Sequence, residues 1–240
     1  MTHEFRSPGV LATLAMAGLG LTALCELAAM FVGFGQIVQP DSALDLGDAG
    51  PMSLWLMLQS LIALVQVPIY IATVVFFLMW LYRAHSNLSV LRPTNLQFTP
   101  GWTVGWWFIP FANLVKPFQA VREVWWESSP DVDDEPVFLS ASLHSAPVYM
   151  GLWWAFWIIS NVLSNINARV FDPEDMTTVT LSGYLFILTG VTSAIAAGLA
   201  IYVVKDTTDR QGQRALAVAQ LSRNEPPPPP TFRDGFVTET

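Results

Sequence analysis

Long apolar stretches alternate with polar loops along the chain of 240 residues. The five apolar stretches cover residues 10–36, 54–82, 102–115, 148–166 and 179–204. A helix needs about 20 residues to cross the hydrocarbon core of a bilayer. Residues 102–115 fall short of that length and are interrupted by Pro110, which breaks a helix. The pattern therefore predicts four membrane-spanning helices and one element that does not cross.

The positive charges predict how these helices are oriented. With the N-terminus in the cytoplasm, four spans place ten of the eleven Lys and Arg residues on the cytoplasmic side. Only Arg169 then lies outside. A fifth crossing by residues 102–115 would instead move Arg122 and the basic residues after Val204 to the outside. Because excess Lys and Arg mark cytoplasmic loops, we predict a multi-pass protein of the cytoplasmic membrane with both termini inside.

Composition supports a membrane protein and narrows the possible partners. Only 12% of the residues are charged, and the chain contains ten Trp residues. Its net charge of −8 argues against nucleic-acid binding, which requires a basic surface. A single cysteine, Cys25, excludes a disulfide framework or a thiolate metal site within one chain. No cofactor is predicted, and the expected partner is the lipid bilayer.

The predicted fold class is all-α: an integral membrane four-helix bundle with a Trp-rich interfacial or re-entrant element on its cytoplasmic side. Residues 1–9 form a cytoplasmic N-terminus, and residues 10–211 form the membrane domain. Residues 212–240 form a cytoplasmic extension that begins as a helix and ends as a disordered tail. The tail begins at the proline run of residues 226–230, which cannot pack into a core.

The interfacial element, about residues 102–126, combines aromatic residues with helix breakers. Its candidate site residues are Trp106, Trp107, Pro110, Asn113, Lys116 and Pro117. Trp prefers the headgroup region of a membrane, so the element is predicted to lie along the cytoplasmic surface with breaks at its prolines. Basic residues around it are expected to attract anionic lipids. They are Arg83, Arg92, Lys116 and Arg122.

The same region resembles a known family. Residues 77–88 read FLMWLYRAHSNL, residues 105–110 read GWWFIP, and Lys-Pro follows at 116–117. Residues 123–125 read EVW, 152–154 read LWW, and 210–211 read RQ. This pattern, over about residues 55–211, resembles the bacterial multi-pass membrane family defined as a domain of unknown function, DUF4328. The resemblance implies a membrane fold and brings no established activity, substrate or catalytic residue.

Polar side chains inside the predicted spans form the second candidate site. They are Glu26, Gln59, Gln66, Tyr70, Asn161 and Asn165. Glu26 shares one face of its helix with small residues, which mark close helix packing, so it is predicted to point into the bundle. Gln66 lies at the same depth and is its expected partner, with Tyr70 next. Three interpretations remain open: hydrogen bonds that join the helices, a polar cavity with a titratable acid, or a contact with lipid or another helix.

Two histidines and an acidic segment lie outside the predicted spans. His85 and His144 flank the spans on the cytoplasmic side and are predicted to be solvated, because no Cys or carboxylate pair with ligand spacing accompanies them. Residues 127–136 are predicted to be an exposed acidic loop without the calcium-binding pattern. No catalytic sequence motif is present.

The sequence favours a non-enzymatic membrane protein that organises, senses or binds at the cytoplasmic face, with a protein partner or a second copy among the possibilities. The alternative is a small channel or transporter that uses the polar cluster around Glu26. A membrane enzyme acting on lipid is the third hypothesis.

Overall fold

The computed structural model describes residues 5–38, 51–92, 96–130, 146–172 and 175–224, and all regular structure in these ranges is helical. The all-α prediction is therefore confirmed. The six helices are α1 (Gly9–Val38), α2 (Pro51–Leu91), α3 (Pro100–Gly105), α4 (Lys116–Glu127), α5 (Val148–Val170) and α6 (Met176–Asn224). Two short 3-10 turns, Trp106–Phe108 and Ala112–Leu114, connect α3 to α4.

Three helices are long and apolar enough to cross a membrane, within the part of the chain that the structure describes. The candidate segments are Gly9–Gly35, Met57–Leu91 and Thr177–Leu221. α5 has 23 residues, which suffices for a crossing, but its Trp and Asn residues lower its mean hydropathy below that of the other three. Length and composition thus give three helices that could cross a membrane.

α2 and α6 extend well past the apolar stretches at residues 54–82 and 179–204. α2 continues through residues 83–91 and ends just before Pro93, and α6 continues from Lys205 to Asn224, just before Pro226. Proline cannot continue a helix, and the residue before it disfavours the helical conformation. No proline lies between the apolar stretches and these two positions, so each helix continues into a more polar segment.

The bundle is held together by a close contact between α1 and α6. A Cβ atom built on Gly183 of α6 would lie only 2.8 Å from the backbone oxygen of Gly33 of α1. As predicted, small residues on the Glu26 face of α1, such as Ala15 and Gly33, are buried in the bundle, whereas Leu24 and Phe31 are 62% and 68% exposed. Met16 is partly buried and packs against the core. α1 also packs on α2, and α6 packs on α5, so α6 lies between α1 and α5.

Three chain segments meet at one end of the bundle, which we call the polar end and define as residues 85–92, 121–129 and 205–214. Arg6, just before α1, is hydrogen-bonded there to Asn87 near the end of α2. α5 runs antiparallel along α6. Tyr149, at the start of α5, bonds Asp206 at the polar end, and Asp172, after α5, bonds Thr178 at the opposite, far end.

An aromatic cluster joins the segment between α3 and α4 to the bundle. Trp107 contacts Phe77 of α2 at 5.5 Å between ring centroids, and it contacts both Trp154 and Trp157 of α5 at 5.8 Å. Trp107 was predicted to face the headgroup region, but here it packs against protein. Edge-to-face aromatic pairs contribute about 0.5–1.5 kcal/mol beyond their burial, which favours this packing.

Residues 100–127 form a hairpin rather than a flat strip, and we call it the α3–α4 hairpin. Pro110 lies in its turn, as the break prediction required, and Pro117 is at the start of α4, where a helix tolerates proline. The indole of Trp154 donates to the carbonyl of Leu114 at 2.9 Å. Trp154 and Trp157 lie about 9 and 14 Å along α5 from its first residue. The turn of the hairpin thus reaches toward the middle of α5.

Candidate functional site

Gln211 of α6 is the centre of a buried hydrogen-bond network at the polar end. Its Nε2 donates to the carbonyl of Ala84 at 2.7 Å and to Oγ of Ser128 at 3.1 Å. Its Oε1 accepts from Nδ2 of Asn87 at 3.2 Å, and the same Nδ2 donates to the carbonyl of Arg6 at 3.0 Å. One fully buried side chain therefore ties α6 to α2, to the end of α4 and, through Asn87, to the N-terminal segment.

Arg214, one turn further along α6, is only 4% exposed. Its Nε donates to the carbonyl of Leu91 at 3.0 Å, and its Nη1 donates to the carbonyl of Ser129 at 3.2 Å. The last carbonyls of a helix lack helical partners and carry partial negative charge, so a guanidinium at the end of α2 is favourable. Arg214 thus fixes the extension of α6 to the ends of both α2 and α4.

His85 is buried beside Glu123 rather than solvated, so that prediction is wrong. It is 1% exposed, and its Nε2 lies 3.4 Å from Oε2 of Glu123. Glu123 also accepts the backbone N–H groups of Gln97 and Phe98. α2 continues past the apolar segment, and α4 packs over this continuation. Glu123 therefore links residues 97–98, which precede α3, to His85 of α2.

Asp206 of α6 accepts hydrogen bonds from three donors. They are Nε1 of Trp125, the hydroxyl of Tyr149 at 2.8 Å and Nε of Arg210 at 3.1 Å. Asp206 follows the apolar segment, which ends at Val204. Burial by itself would raise the pKa of its carboxyl, but the hydrogen bonds from Trp125 and Tyr149 and the charge of Arg210 outweigh burial and lower that pKa. The carboxylate therefore links α4, α5 and α6.

The acidic loop predicted over residues 127–136 begins later than expected. Glu127 ends α4, is buried, and lies 3.6 Å from Nε of Arg92. Its pairing with Arg92 across the ends of α4 and α2 removes it from the loop. Residues 131–136 of the predicted loop, and His144, lie outside the described residues. Among the described residues no group of three or more His, Cys, Asp or Glu side chains is placed to hold a metal ion.

Glu26 and Gln66 meet between α1 and α2, as their equal depth predicts. Nε2 of Gln66 donates to Oε1 of Glu26 at 2.8 Å. A cavity of about 100 Å³ lies beside this pair and is lined by Gln59 and Gln66 of α2, Ala29 of α1 and Phe186 of α6, among others. Tyr70, the next expected partner of Glu26, is 50% exposed, and the hydrogen bond to Glu26 comes from Gln66.

Asn161 and Asn165 do not join this cluster, so the prediction of a single group is wrong. They lie on α5, and α6 separates α5 from α1 and Glu26. Instead they line a groove of about 400 Å³ between α5 and the turn of the α3–α4 hairpin, together with Asn113. The pairing of Glu26 with Gln66 was predicted from helix length, but the neighbours of each helix were not.

The family described as a domain of unknown function, DUF4328, matches residues 47–209. The chain belongs to this family. No curated protein and no solved structure matches the chain. The DUF4328 region contains His85, Asn87, Glu123 and Asp206, whereas α1 with Glu26 lies before it and Gln211 lies just after it.

The burial of one face of α6 at the polar end was not predicted from the sequence. Thr207, Gln211 and Arg214 are all buried and follow a four-and-three spacing, which places them on one face of a helix. That spacing was visible in the sequence. It is, however, equally typical of a solvated helix, and only the packing of α2 and α4 against this face distinguishes the two cases.

Proposed function

We propose that this DUF4328 protein crosses the membrane four times, with α5 as the third crossing. The polar end joins the start of α1, the end of α2 and the extension of α6, so Met176 at the start of α6 is at the far end. The chain between Leu91 and Met176 must therefore pass from one end to the other. α5 lies along α6 over this distance. Some of the Trp and Asn side chains of α5 contact the aromatic cluster or line the groove beside the hairpin.

We further propose that the polar end faces the cytoplasm. Basic residues gather near it, and Arg169 is at the far end, in keeping with the bias of Lys and Arg toward cytoplasmic segments. The α3–α4 hairpin then enters the membrane from the cytoplasmic side as a re-entrant element. Its turn presents Phe108 and Phe111, which are 70% and 87% exposed, to lipid. Nζ of Lys116 lies 5.9 Å from the ring centroid of Trp106, so the lysine stays beside an aromatic face.

We infer that the protein organises or binds other components at this cytoplasmic face and is not an enzyme. The observation that carries this proposal is the buried Arg214, which fixes the α6 extension to α2 and α4. Beyond Arg214 the helix continues for ten residues, about 15 Å, and exposes Leu216 and Leu221. A simple membrane anchor has no need of a helix held this rigidly. An exposed leucine on a helix that is fixed in place can anchor a partner helix.

A photo-crosslinking amino acid at Leu216 tests this function. In intact cells we expect a discrete adduct of higher mass, because the exposed face of the α6 extension is in contact with a partner or a second copy. The same amino acid at Leu24, an exposed position of α1 within its apolar segment, is the matched control and is expected to give no such band. If Leu216 and Leu24 give the same pattern, the extension is not a binding surface.

A second candidate function, a small channel or transporter, is supported by the cavity of about 100 Å³ beside Glu26 and Gln66. A carboxyl group inside a membrane span is costly and is often part of a path for protons or ions. The cavity has room for a few water molecules and has polar walls at Gln59 and Gln66. Transport would place the functional group in α1, outside the DUF4328 region.

Substitutions of Glu26 separate a structural from a transport role. Glu26→Gln keeps an acceptor for Gln66, so we expect nearly wild-type thermal stability. Glu26→Leu leaves the amide of Gln66 without its partner and should cost about 1 kcal/mol of the free energy of unfolding. Stability is measured in detergent, and proton flux is measured in proteoliposomes. A flux present in the wild type and lost in Glu26→Gln would establish transport, whereas no flux in the wild type would exclude it for protons.

A further inference from the structure

The groove between α5 and the turn of the α3–α4 hairpin carries an unusual set of side chains for a surface within a membrane. Its volume of about 400 Å³ is in the range of small-molecule sites, about 300–1,000 Å³. One wall is aliphatic, with Ile158 and Val162. The polar groups of the lining are three carboxamides and a guanidinium: Asn113, Asn161, Asn165 and Arg169.

Each carboxamide retains unused hydrogen-bonding capacity. Nδ2 of Asn161 donates to the carbonyl of Trp157 at 2.7 Å, and Nδ2 of Asn165 donates to the carbonyl of Asn161 at 2.8 Å. Nδ2 of Asn113 donates to the carbonyl of Trp107 at 3.4 Å. A carboxamide has two N–H groups and one oxygen, so with respect to the residues that the structure describes each still has a donor and an acceptor available. Polar groups left facing hydrocarbon are costly, and a polar occupant of the groove would remove that cost.

Arg169 gives the groove a charged mouth at the far end. It is exposed and makes no hydrogen bond or ion pair with a described residue. From Trp157 to Arg169 the groove follows α5 for about 18 Å. This is about half of the hydrocarbon thickness of about 30 Å, or the depth of one leaflet. The groove thus combines a positive charge at the membrane surface with amides and aliphatic groups below it.

We propose that this groove binds one anionic phospholipid from the leaflet at the far end of the bundle. The phosphate lies on Arg169, the carboxamide of Asn165, about 6 Å further along α5, hydrogen-bonds the ester oxygens, and one acyl chain follows Ile158 and Val162. The proposal rests on the crossing of the membrane by α5. It concerns the opposite side of the membrane from the basic residues around the hairpin.

A lipid fits this groove better than a second copy of the chain. Two copies in one membrane share the same orientation, so contact along these faces would bring the two Arg169 side chains to the same depth. Like charges placed side by side repel each other.

Native mass spectrometry tests the proposal on the full chain released from nanodiscs with equal amounts of phosphatidylglycerol and phosphatidylcholine. The wild type is expected to retain one phosphatidylglycerol per chain. Val162→Trp fills the groove and should lower this retention about tenfold. Ile159→Trp is the matched control, because Ile159 is similarly exposed on α5 but is not part of the groove lining, and it should retain lipid as the wild type does.

Arg169→Gln tests the proposal without disturbing the fold. The residue is exposed and makes no hydrogen bond or ion pair with a residue that the structure describes. The substitution should lower retention of phosphatidylglycerol about fivefold, the effect of one charge near the membrane surface, and leave phosphatidylcholine unchanged. Equal retention of both lipids by the wild type, or unchanged retention in Val162→Trp, would overturn the proposal. A wild-type dimer that Val162→Trp dissociates would also overturn it and assign the groove to a second copy. Failure of α5 to cross is detected separately, by cysteine labelling from outside the cell.

Discussion

Replacing Gly183 with leucine is expected to force α6 away from α1 and to destabilise the whole bundle. A Cβ atom at Gly183 would lie 2.8 Å from the backbone oxygen of Gly33 and 2.8 Å from Cγ1 of Ile37. Backbone atoms cannot move aside as a side chain can, so the two helices must separate. Overpacking costs about 1–3 kcal/mol where the surroundings can adjust, and we expect about 3 kcal/mol here. In a chain of this size that lowers the melting temperature by about 10 °C.

Gly198→Leu is the matched control on the same helix. A Cβ atom at Gly198 meets no atom within 4 Å, so leucine fits there without a clash. Leucine also favours a helix more than glycine does, so this variant should be at least as stable as the wild type. Thermal unfolding of both variants in detergent is the measurement. Equal melting temperatures for the two variants would mean that α1 and α6 do not pack through Gly33 and Gly183.

Gln211→Leu is expected to release the α6 extension from the polar end. The substitution removes the hydrogen bonds to the carbonyl of Ala84, to Ser128 and from Asn87. At about 1 kcal/mol for each bond, the loss is about 3 kcal/mol of the free energy of unfolding. Arg214 should then become accessible, because its bonds to α2 and α4 depend on the position of the same helix.

Limited trypsin digestion reports this release directly, since Arg214 is buried in the wild type. We expect cleavage after Arg214 in Gln211→Leu and protection of that bond in the wild type. Gln213→Leu is the control, because Gln213 is exposed two residues away and makes none of these bonds. Equal protection of Arg214 in all three proteins would show that Gln211 does not hold the extension in place.

The features that follow from helix periodicity and depth could be predicted from the sequence. The inward face of α1 and the pairing of Glu26 with Gln66 belong to this group, because both depend only on a helix of known length. The partners of Asn161 and Asn165 could not be predicted, since apolar patterning does not encode which helices are neighbours. His85 was misjudged because the sequence does not tell how far a helix stays packed beyond the bilayer. For Trp107, the preference of Trp for the interface competed with aromatic packing, and packing prevailed.

Cysteine labelling tests the central claim, that four helices cross the membrane with the polar end in the cytoplasm. Single cysteines are placed at Thr177, exposed at the far end, and at Ser89, exposed at the polar end, in a Cys25→Ser background. An impermeant thiol reagent added to intact cells should label the cysteine at Thr177 and leave the cysteine at Ser89 unlabelled until the cells are opened. Labelling at Ser89 from outside, or protection of Thr177 in intact cells, would contradict the account.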